Sequence, residues 1–339
     1  MATKIFHGNT VALVLFPTMS ALAAQLIWGR FIEAGVALAV DKQCKPDFVA
    51  APGSGQKAYY TPFTGIAPFD NGICPLVAFF DIMINSPNTL PYLTYVIGTS
   101  LPLALLPNAE SYRSSHSWTL KYPVIWCLLT QGVAVGFVQP LYWLTFILTG
   151  GMKDARSSIS TFTKSQAEAL IFALIVGSVI PSVAMLIMND FHVIAIWQFY
   201  PALVSIAQIL HLQYRPQAEE VKSGYGLMQA LYIGCFLATS SAHISSVWPI
   251  LDNMTELEGL LLPSLTPLPS AADISLHLLE FLKWDMTFAY ASTALATCWL
   301  ARNAKQLLAI LLWYAVAIPL VGSGAAVMGV TIWKEGMLA

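Results

Sequence analysis

Charged side chains are scarce in this chain. Of its 339 residues, 16 are Lys or Arg and 18 are Asp or Glu, which leaves a formal net charge of −2 at pH 7. No basic stretch with interleaved aromatic residues occurs, and such stretches are typical of surfaces that bind nucleic acid. The sequence therefore predicts no nucleic-acid partner, and a charged fraction of only 10% argues against a soluble protein.

Motifs for binding metals and nucleotides are also missing. The five cysteines form no CxxC pair and no Cys/His cluster, so neither a zinc site nor a disulfide scaffold is indicated. No DDxxD or DxDD motif, P-loop, GxGxxG or HExxH is present. We therefore expect no metal ligands and no cofactor, and any proton chemistry would depend on scattered carboxyl groups.

Hydrophobic residues make up 57% of the chain, and the mean hydropathy is +0.66. Apolar runs of about 20 residues recur, and each is long enough to cross a bilayer core as a helix. The sequence predicts an all-α, polytopic transmembrane helical bundle, with residues 1–339 as a single integral membrane domain. Its eight predicted spans lie near residues 10–28, 89–106, 123–149, 167–188, 193–212, 226–248, 276–300 and 307–332.

The apolar segment 63–86 does not fit this series. Asp70 and Asp81 interrupt it, and a full span here would leave no room for a turn before residue 89. Irregular backbone at membrane depth survives only against protein or a water-filled cavity. We therefore expect a re-entrant or interfacial element that lines the protein interior.

Lys and Arg divide unevenly between alternate loops, eleven against four. The positive-inside rule places the richer set in the cytosol. That set includes Arg30 and the cations up to Lys57. Because the eight predicted spans cross the membrane in alternate directions, residues 251–275 and both termini would then be luminal. Residues 251–275 carry no cation and contain the sequon Asn253-Met254-Thr255, which works only in a lumen. The sequence therefore predicts an integral membrane protein of the endoplasmic reticulum.

Carboxyl groups within apolar segments are the first candidates for catalysis, because each is expensive in hydrocarbon. Asp285 lies about ten residues into a predicted span, deep enough for a neutral general acid, although a pairing with a neighbouring helix or with Lys283 is the structural alternative. Asp70 and Asp81 lie in the broken segment, where Asp70 could simply form a turn. Glu33 is a further candidate, with an ion pair to Arg30 as the alternative.

Other polar and aromatic side chains could complete a site. His243 could orient or reprotonate a carboxyl such as Asp285, or merely join two helices. Two blocks, Gln139-Pro140-Leu141-Tyr142-Trp143 and Trp197-Gln198-Phe199-Tyr200-Pro201, each place an amide, large aromatic rings and a proline together. Aromatic faces stabilise cations. The candidates for binding substrate or stabilising a cation are Gln139, Tyr142, Trp143, Trp197, Gln198, Tyr200 and Trp284.

Four short patterns together resemble the fungal integral-membrane terpene cyclases of the ascofuranone and ascochlorin cyclase type. They are Gly177-Ser178-Val179-Ile180-Pro181, Trp197-Gln198-Phe199-Tyr200-Pro201, Ala242-His243-Ile244 and Trp284-Asp285. The resemblance implies an enzyme of meroterpenoid biosynthesis that opens an epoxide or protonates an olefin on a prenyl chain. It implies that a carbocation cyclisation follows without metal or nucleotide. The substrate would be a lipophilic prenylated small molecule that reaches the enzyme through membrane lipid.

The chain differs from a smaller group of fungal meroterpenoid cyclases that use paired acidic residues. It is longer and has an additional predicted span, so Asp285 and Asp70 carry over only as hypotheses. A small-molecule or ion-coupled membrane transporter is the main alternative, because broken helices and intramembrane carboxylates are equally expected there. No internal repeat supports that alternative. A non-catalytic scaffold in a membrane enzyme complex is the third.

Overall fold

The computed structural model describes residues 9–51, 56–113, 118–155, 162–215 and 222–337. Lys4 and Arg156, which contributed to the predicted orientation, lie outside these ranges. The described chain is an all-α bundle, which confirms the predicted fold class. Its helices are α1 Asn9–Glu33, α2 Val36–Gln43, α3 Ala67–Asn85, α4 Leu90–Thr99, α5 Leu101–Ser111, α6 Trp118–Lys121, α7 Pro123–Val133, α8 Val135–Leu148, α9 Gly151–Asp154, α10 Lys164–Met188, α11 Phe191–Trp197, α12 Tyr200–Tyr214, α13 Tyr225–Val247, α14 Met254–Leu261, α15 Ile274–Cys298 and α16 Ala304–Gly336.

Among the described residues, six helices are long and apolar enough to cross a membrane. A seventh crossing results if α11 and α12, which meet at a bend of 63°, form one span. Helix α15 has the length of a span, 25 residues, but it carries Glu280, Lys283 and Asp285. The predicted count of eight is therefore not confirmed.

The run 123–149, predicted as one span, is instead two short antiparallel helices, α7 and α8. The chain reverses at Ala134, whose φ and ψ are both 138°. Across the turn, the rings of Trp126 and Tyr142 lie 5.7 Å apart between centroids, which requires the two helices to run side by side. We call residues 123–148 the re-entrant hairpin, because both of its outer ends lie on the same side of the bundle.

Helix α16 also reverses, at Gly322, where φ is 86° and ψ is 161°. Gln306 Nε2 lies 3.8 Å from Met337 Sδ, whereas a straight helix would separate these residues by about 46 Å. The reversal leaves the carbonyl groups before the turn without helical partners. His243 Nε2 donates to Pro319 O at 3.2 Å, and Trp248 Nε1 donates to Leu320 O at 3.4 Å, so side chains of α13 and its extension satisfy them.

Contacts between the connecting segments define two ends of the bundle. Asn85 Nδ2 lies 3.2 Å from Asn189 Oδ1, and the rings of Phe63 and His192 lie 5.6 Å apart. These contacts join segments of one end, which we call the disulfide end: residues 34–51, 56–66, 86–89, 189–190 and 251–273. The opposite end comprises residues 112–113, 118–122, 149–155, 162–163, 222–224 and 299–303.

The predicted grouping of the loops is wrong. Arg30 donates to Ser264 O at 2.7 Å and to Leu265 O at 2.6 Å, so the loop after α1 and the 251–275 connection share one end rather than facing opposite sides. The cause is the re-entrant hairpin, which returns to the end from which it entered. Because α16 also reverses and brings Met337 back beside Gln306, both described chain ends, Asn9 and Met337, lie at the end opposite the sequon. The prediction that they share its luminal side is wrong.

Cys44 and Cys74 form a disulfide. This corrects the sequence analysis, which indicated no disulfide scaffold. The bond joins the residue after α2 to the middle of α3. Helix α3 corresponds to the segment 63–86. Phe63, just before it, and Asn85, its last residue, both contact residues 189–192. Both flanks of α3 therefore lie at the disulfide end, although α3 is a single 19-residue helix and one of the six that are long and apolar enough to cross a membrane.

The turn at Gly322 yields a test of the α16 hairpin. A Cβ added there would lie 2.8 to 2.9 Å from atoms of the His243 imidazole, at a φ that side chains rarely adopt. We expect Gly322→Ala to lower the free energy of unfolding by about 1–3 kcal/mol. The measurement is the thermal unfolding midpoint in detergent. Gly234→Ala, inside α13 with open space around it, is the control and should leave the midpoint unchanged or slightly raised. Equal midpoints for both variants would rule out the reversal.

Candidate active site

An apolar cavity of about 280 Å³ lies between α1, α3, α4, α5, α10, α15, the bend between α11 and α12, and the tip of the re-entrant hairpin. Seven aromatic side chains line it: Trp28, Phe31, Phe79, Phe80, Trp197, Tyr200 and Phe281. Its polar lining consists of the side chains of Ser100, Thr130, Gln131, Ser178, Ser182 and Asp285. Among the described lining residues, Asp285 is the only acidic one.

Asp285 is 6% exposed and reaches the N-terminus of α8 from the facing helix α15. The first N–H groups of a helix have no partner within it, and the Asp285 Oδ1 atom accepts a hydrogen bond from Gly136 N at 2.6 Å. The approach requires a glycine, because a Cβ at Gly136 would lie 2.5 Å from Asp285 O. Asp285 therefore both caps α8 and faces the cavity.

The other helix end at the hairpin tip is satisfied from α1. Trp28 Nε1 donates to Val133 O at 2.6 Å, which provides a partner for a terminal carbonyl of α7. Trp28 lies in a π-helical turn, Ala24–Gly29, and Ser178 lies in a second one, Ile175–Val179. Such turns are frequent at functional sites, and both of these face the cavity.

The remaining candidate carboxyls do not reach this cavity. Asp70 Oδ1 accepts hydrogen bonds from Thr64 N and Oγ1, both at 2.8 Å, and Asp70 Oδ2 accepts one from Gly65 N, so it holds the turn before α3. Asp81 accepts from Lys57 Nζ at 3.0 Å and from Tyr59 Oη at 2.9 Å. Burial and the Asp81 carboxylate raise the pKa of the Tyr59 phenol.

Glu33 lies at the end of α1 and lines a second, smaller cavity together with Arg30 and Trp284. His243 is not near Asp285. Its Nδ1 accepts from Tyr95 Oη at 3.1 Å while its Nε2 is engaged by Pro319, so the structure does not bring the proposed Asp285 and His243 pair together.

The two predicted aromatic blocks differ in position. Trp197 and Tyr200 line the cavity, and Trp197 Nε1 donates to Ser182 Oγ at 2.9 Å. Gln198, at the bend between α11 and α12, is buried, and its amide has no hydrogen-bond partner among the described residues. The bend therefore brings only part of its block to the cavity.

The second block lies away from the cavity, between α8 and α15. Trp143 Nε1 donates to Thr293 Oγ1 at 2.9 Å, and Gln139 Nε2 lies 3.5 Å from the same oxygen. Tyr142 packs against Trp126. These side chains hold the outer part of the re-entrant hairpin against α15.

Several cavity residues were not singled out from the sequence. Trp28, Phe31 and Phe281 are aromatic residues near helix ends, which usually indicate anchoring at the membrane surface. Gln131 lies within an apolar run, where an amide side chain usually joins two helices. The sequence feature that could have indicated the reversal is the pair Gly132 and Gly136, which flank Ala134 within an otherwise apolar run.

The chain matches a known protein family over almost its whole length. The family model described as the CtvD domain matches residues 11–338. A terpene cyclase from Pyrenophora dematioidea is 28% identical over 177 residues, which cover 50% of this chain and 47% of the relative. The match thus spans about half the length of that relative. No solved structure matches the chain.

The family match covers nearly the whole described chain and includes every residue that lines the cavity. The resemblance to fungal terpene cyclases that the sequence indicated is confirmed at the level of the family. The protein belongs to the CtvD-domain family of terpene cyclase-like membrane proteins.

Proposed function

We propose that the protein is a membrane-bound terpene cyclase that protonates an epoxide or olefin of a prenylated substrate. The observation that carries this proposal is Asp285, the only acidic group among the described residues of an apolar, aromatic cavity. A prenylated substrate partitions into lipid, so a cavity among membrane helices meets it there. The neutral Asp285 carboxyl is the proton donor in this proposal, and the step needs no metal or cofactor.

The proposed step transfers the Asp285 proton to the epoxide oxygen or to an olefin carbon. The C–O bond or the C=C π bond then breaks and leaves a carbocation, which the next double bond of the chain attacks. Aromatic faces stabilise such cations, and the seven rings of the cavity also exclude the water that would quench them. The last cation loses a proton to the Asp285 carboxylate, which restores the acid, so the net reaction is an isomerisation.

Two features support a luminal position for the disulfide end. Disulfides persist in oxidising compartments such as the endoplasmic reticulum, and the Cys44–Cys74 bond lies at the same end as the sequon at Asn253. Arg30, Lys42, Lys45 and Lys57 are the described cations at this end. Nine described cations lie at or beside the opposite end: Arg113, Lys121, Lys153, Lys164, Arg215, Lys222, Arg302, Lys305 and Lys334. The positive-inside rule therefore also favours a cytosolic opposite end.

The acid is tested by Asp285→Asn. The Asn side-chain oxygen can still accept the Gly136 N–H bond, but the amide has no acidic proton, so turnover of farnesylated phenols and their terminal epoxides in microsomes should fall at least about 100-fold. Asp70→Asn and Asp81→Asn are the matched controls, since both carboxyls lie outside the cavity, and they should retain turnover. Undiminished product from Asp285→Asn would remove Asp285 as the donor. Ion-coupled uptake into proteoliposomes without turnover would favour the transporter.

The orientation is tested by counting reactive thiols. In denatured protein that has not been reduced, a maleimide–polyethylene glycol reagent should add to three cysteines, Cys127, Cys235 and Cys298, and to all five after reduction. A C-terminal tag should be digested by protease added outside intact microsomes. Five modified thiols without reduction, or a protected tag, would contradict the luminal assignment of the disulfide end.

A further inference from the structure

The apolar cavity beside Asp285 also has polar groups on other helices. Asp285 reaches the cavity from α15, which packs against α1, α3, α8 and α16. Helix α12 packs against both α7 and α10, and these three helices contribute Gln131, Ser178, Ser182 and Tyr200 to the lining. We call these four residues the polar wall. The described lining contains no Lys, Arg or His, so the polar wall offers hydroxyl and amide groups without a positive charge.

A row of aromatic rings runs along the cavity from the acid to the polar wall. It begins at Phe281, one helical turn before Asp285. It continues through Phe79 and Phe80 to Trp197, and successive ring centroids lie 5.4, 5.1 and 4.7 Å apart. Trp197 is hydrogen-bonded to the polar wall through its Nε1 atom. All four rings line the same cavity, so a chain that lies along them has the acid near one end and the polar wall near the other.

Ser178 is the residue of the polar wall whose hydroxyl is free. Its side chain is only 8% exposed, and its Oγ atom makes no hydrogen bond within the part of the chain that the structure describes. The atom is nevertheless accessible, unlike the enclosed Ser240 Oγ in α13. Because Ser178 lines the cavity and little else of it is exposed, its hydroxyl faces the cavity. A hydroxyl without a partner in apolar surroundings is costly, so an oxygen of a bound molecule would stabilise it there.

The sequence around Ser178 explains this placement. Pro181 has no N–H, so the Gly177 carbonyl lacks its usual donor four residues on, and the helix contains the π-helical turn Ile175–Val179. A Cβ at Gly177 would lie 2.4 Å from Val204 N, so Gly177 is the point where α10 touches the backbone of α12. Ser178 follows, roughly a quarter turn further around the helix axis, and is thereby directed away from that contact and into the cavity.

We propose that Ser178, together with the other groups of the polar wall, binds an uncharged oxygen at the head of the prenylated substrate. The prenyl chain then lies along the aromatic row, and its reacting end lies beside Asp285. This inference rests on the proposed function for the position of the reacting end. It makes Ser178 a specificity-determining residue. A diphosphate head group is disfavoured, because no cation of the described lining would pair with it.

Binding is measured at equilibrium on the purified full chain in detergent. The probes are farnesol and farnesene, which share a hydrocarbon chain and differ in one hydroxyl. Their dissociation constants are obtained by displacement of a fluorescent farnesyl analogue. Ser178→Ala removes the free hydroxyl, so it should weaken binding of farnesol about three- to tenfold and leave farnesene within about twofold. Tyr200→Phe keeps its ring and removes another hydroxyl of the polar wall. It should act in the same direction and replaces Ser178→Ala if that variant does not fold.

Ser240→Ala is the matched control, because Ser240 Oγ also lacks a partner among the described residues but lies outside the cavity lining. It should change neither constant. Equal weakening of both probes by Ser178→Ala, or of neither, would overturn the subsite, and the second result would make water the partner of this hydroxyl. Farnesyl diphosphate that binds more tightly than farnesol would overturn the uncharged head group. Asp285→Asn should leave both constants unchanged while turnover is lost, so persistent turnover there would refute the proposed acid and not the subsite.

Discussion

Backbone N–H and C=O groups inside a membrane have no water to bind, so every helix that ends there needs a partner from elsewhere in the protein. The re-entrant hairpin has two such ends at its tip. Asp285 satisfies Gly136 N, and Trp28 satisfies Val133 O. The tip forms one wall of the apolar cavity, so the shape of the candidate active site depends on these two hydrogen bonds.

The same constraint explains several other polar side chains of the bundle. The carbonyl of Thr99, at the break before Pro102, accepts a hydrogen bond from Tyr290 Oη. The carbonyls before the reversal at Gly322 are satisfied by His243 and Trp248. His243, a catalytic candidate by sequence, thus has a complete structural explanation in its contacts. A polar residue within a span indicates a site only where it also faces a cavity, as Asp285 does.

The sequence alone predicted the helical bundle and, among the cavity residues, Asp285, Trp197 and Tyr200. These follow from local composition, because hydrocarbon penalises charge and favours long apolar helices. It could not predict that residues 123–149 turn back, since the reversal depends on Asp285, about 150 residues away. That one error moved Arg30 to the wrong side relative to Ser264. The Cys44–Cys74 bond was missed because spacing does not reveal which thiols meet.

Asp285 has two tasks in the proposed reaction, and they are compatible. A neutral carboxyl can accept the Gly136 N–H bond through one oxygen while the other carries the proton. After transfer, the carboxylate faces the N-terminus of α8, where unpaired N–H groups and the helix dipole favour a negative charge. These donors are fixed before the reaction begins, so stabilising the new charge costs no reorganisation. The hydrogen bond that holds the hairpin in place would therefore also promote the proton transfer, which explains why a structural cap and a catalytic acid can be the same residue.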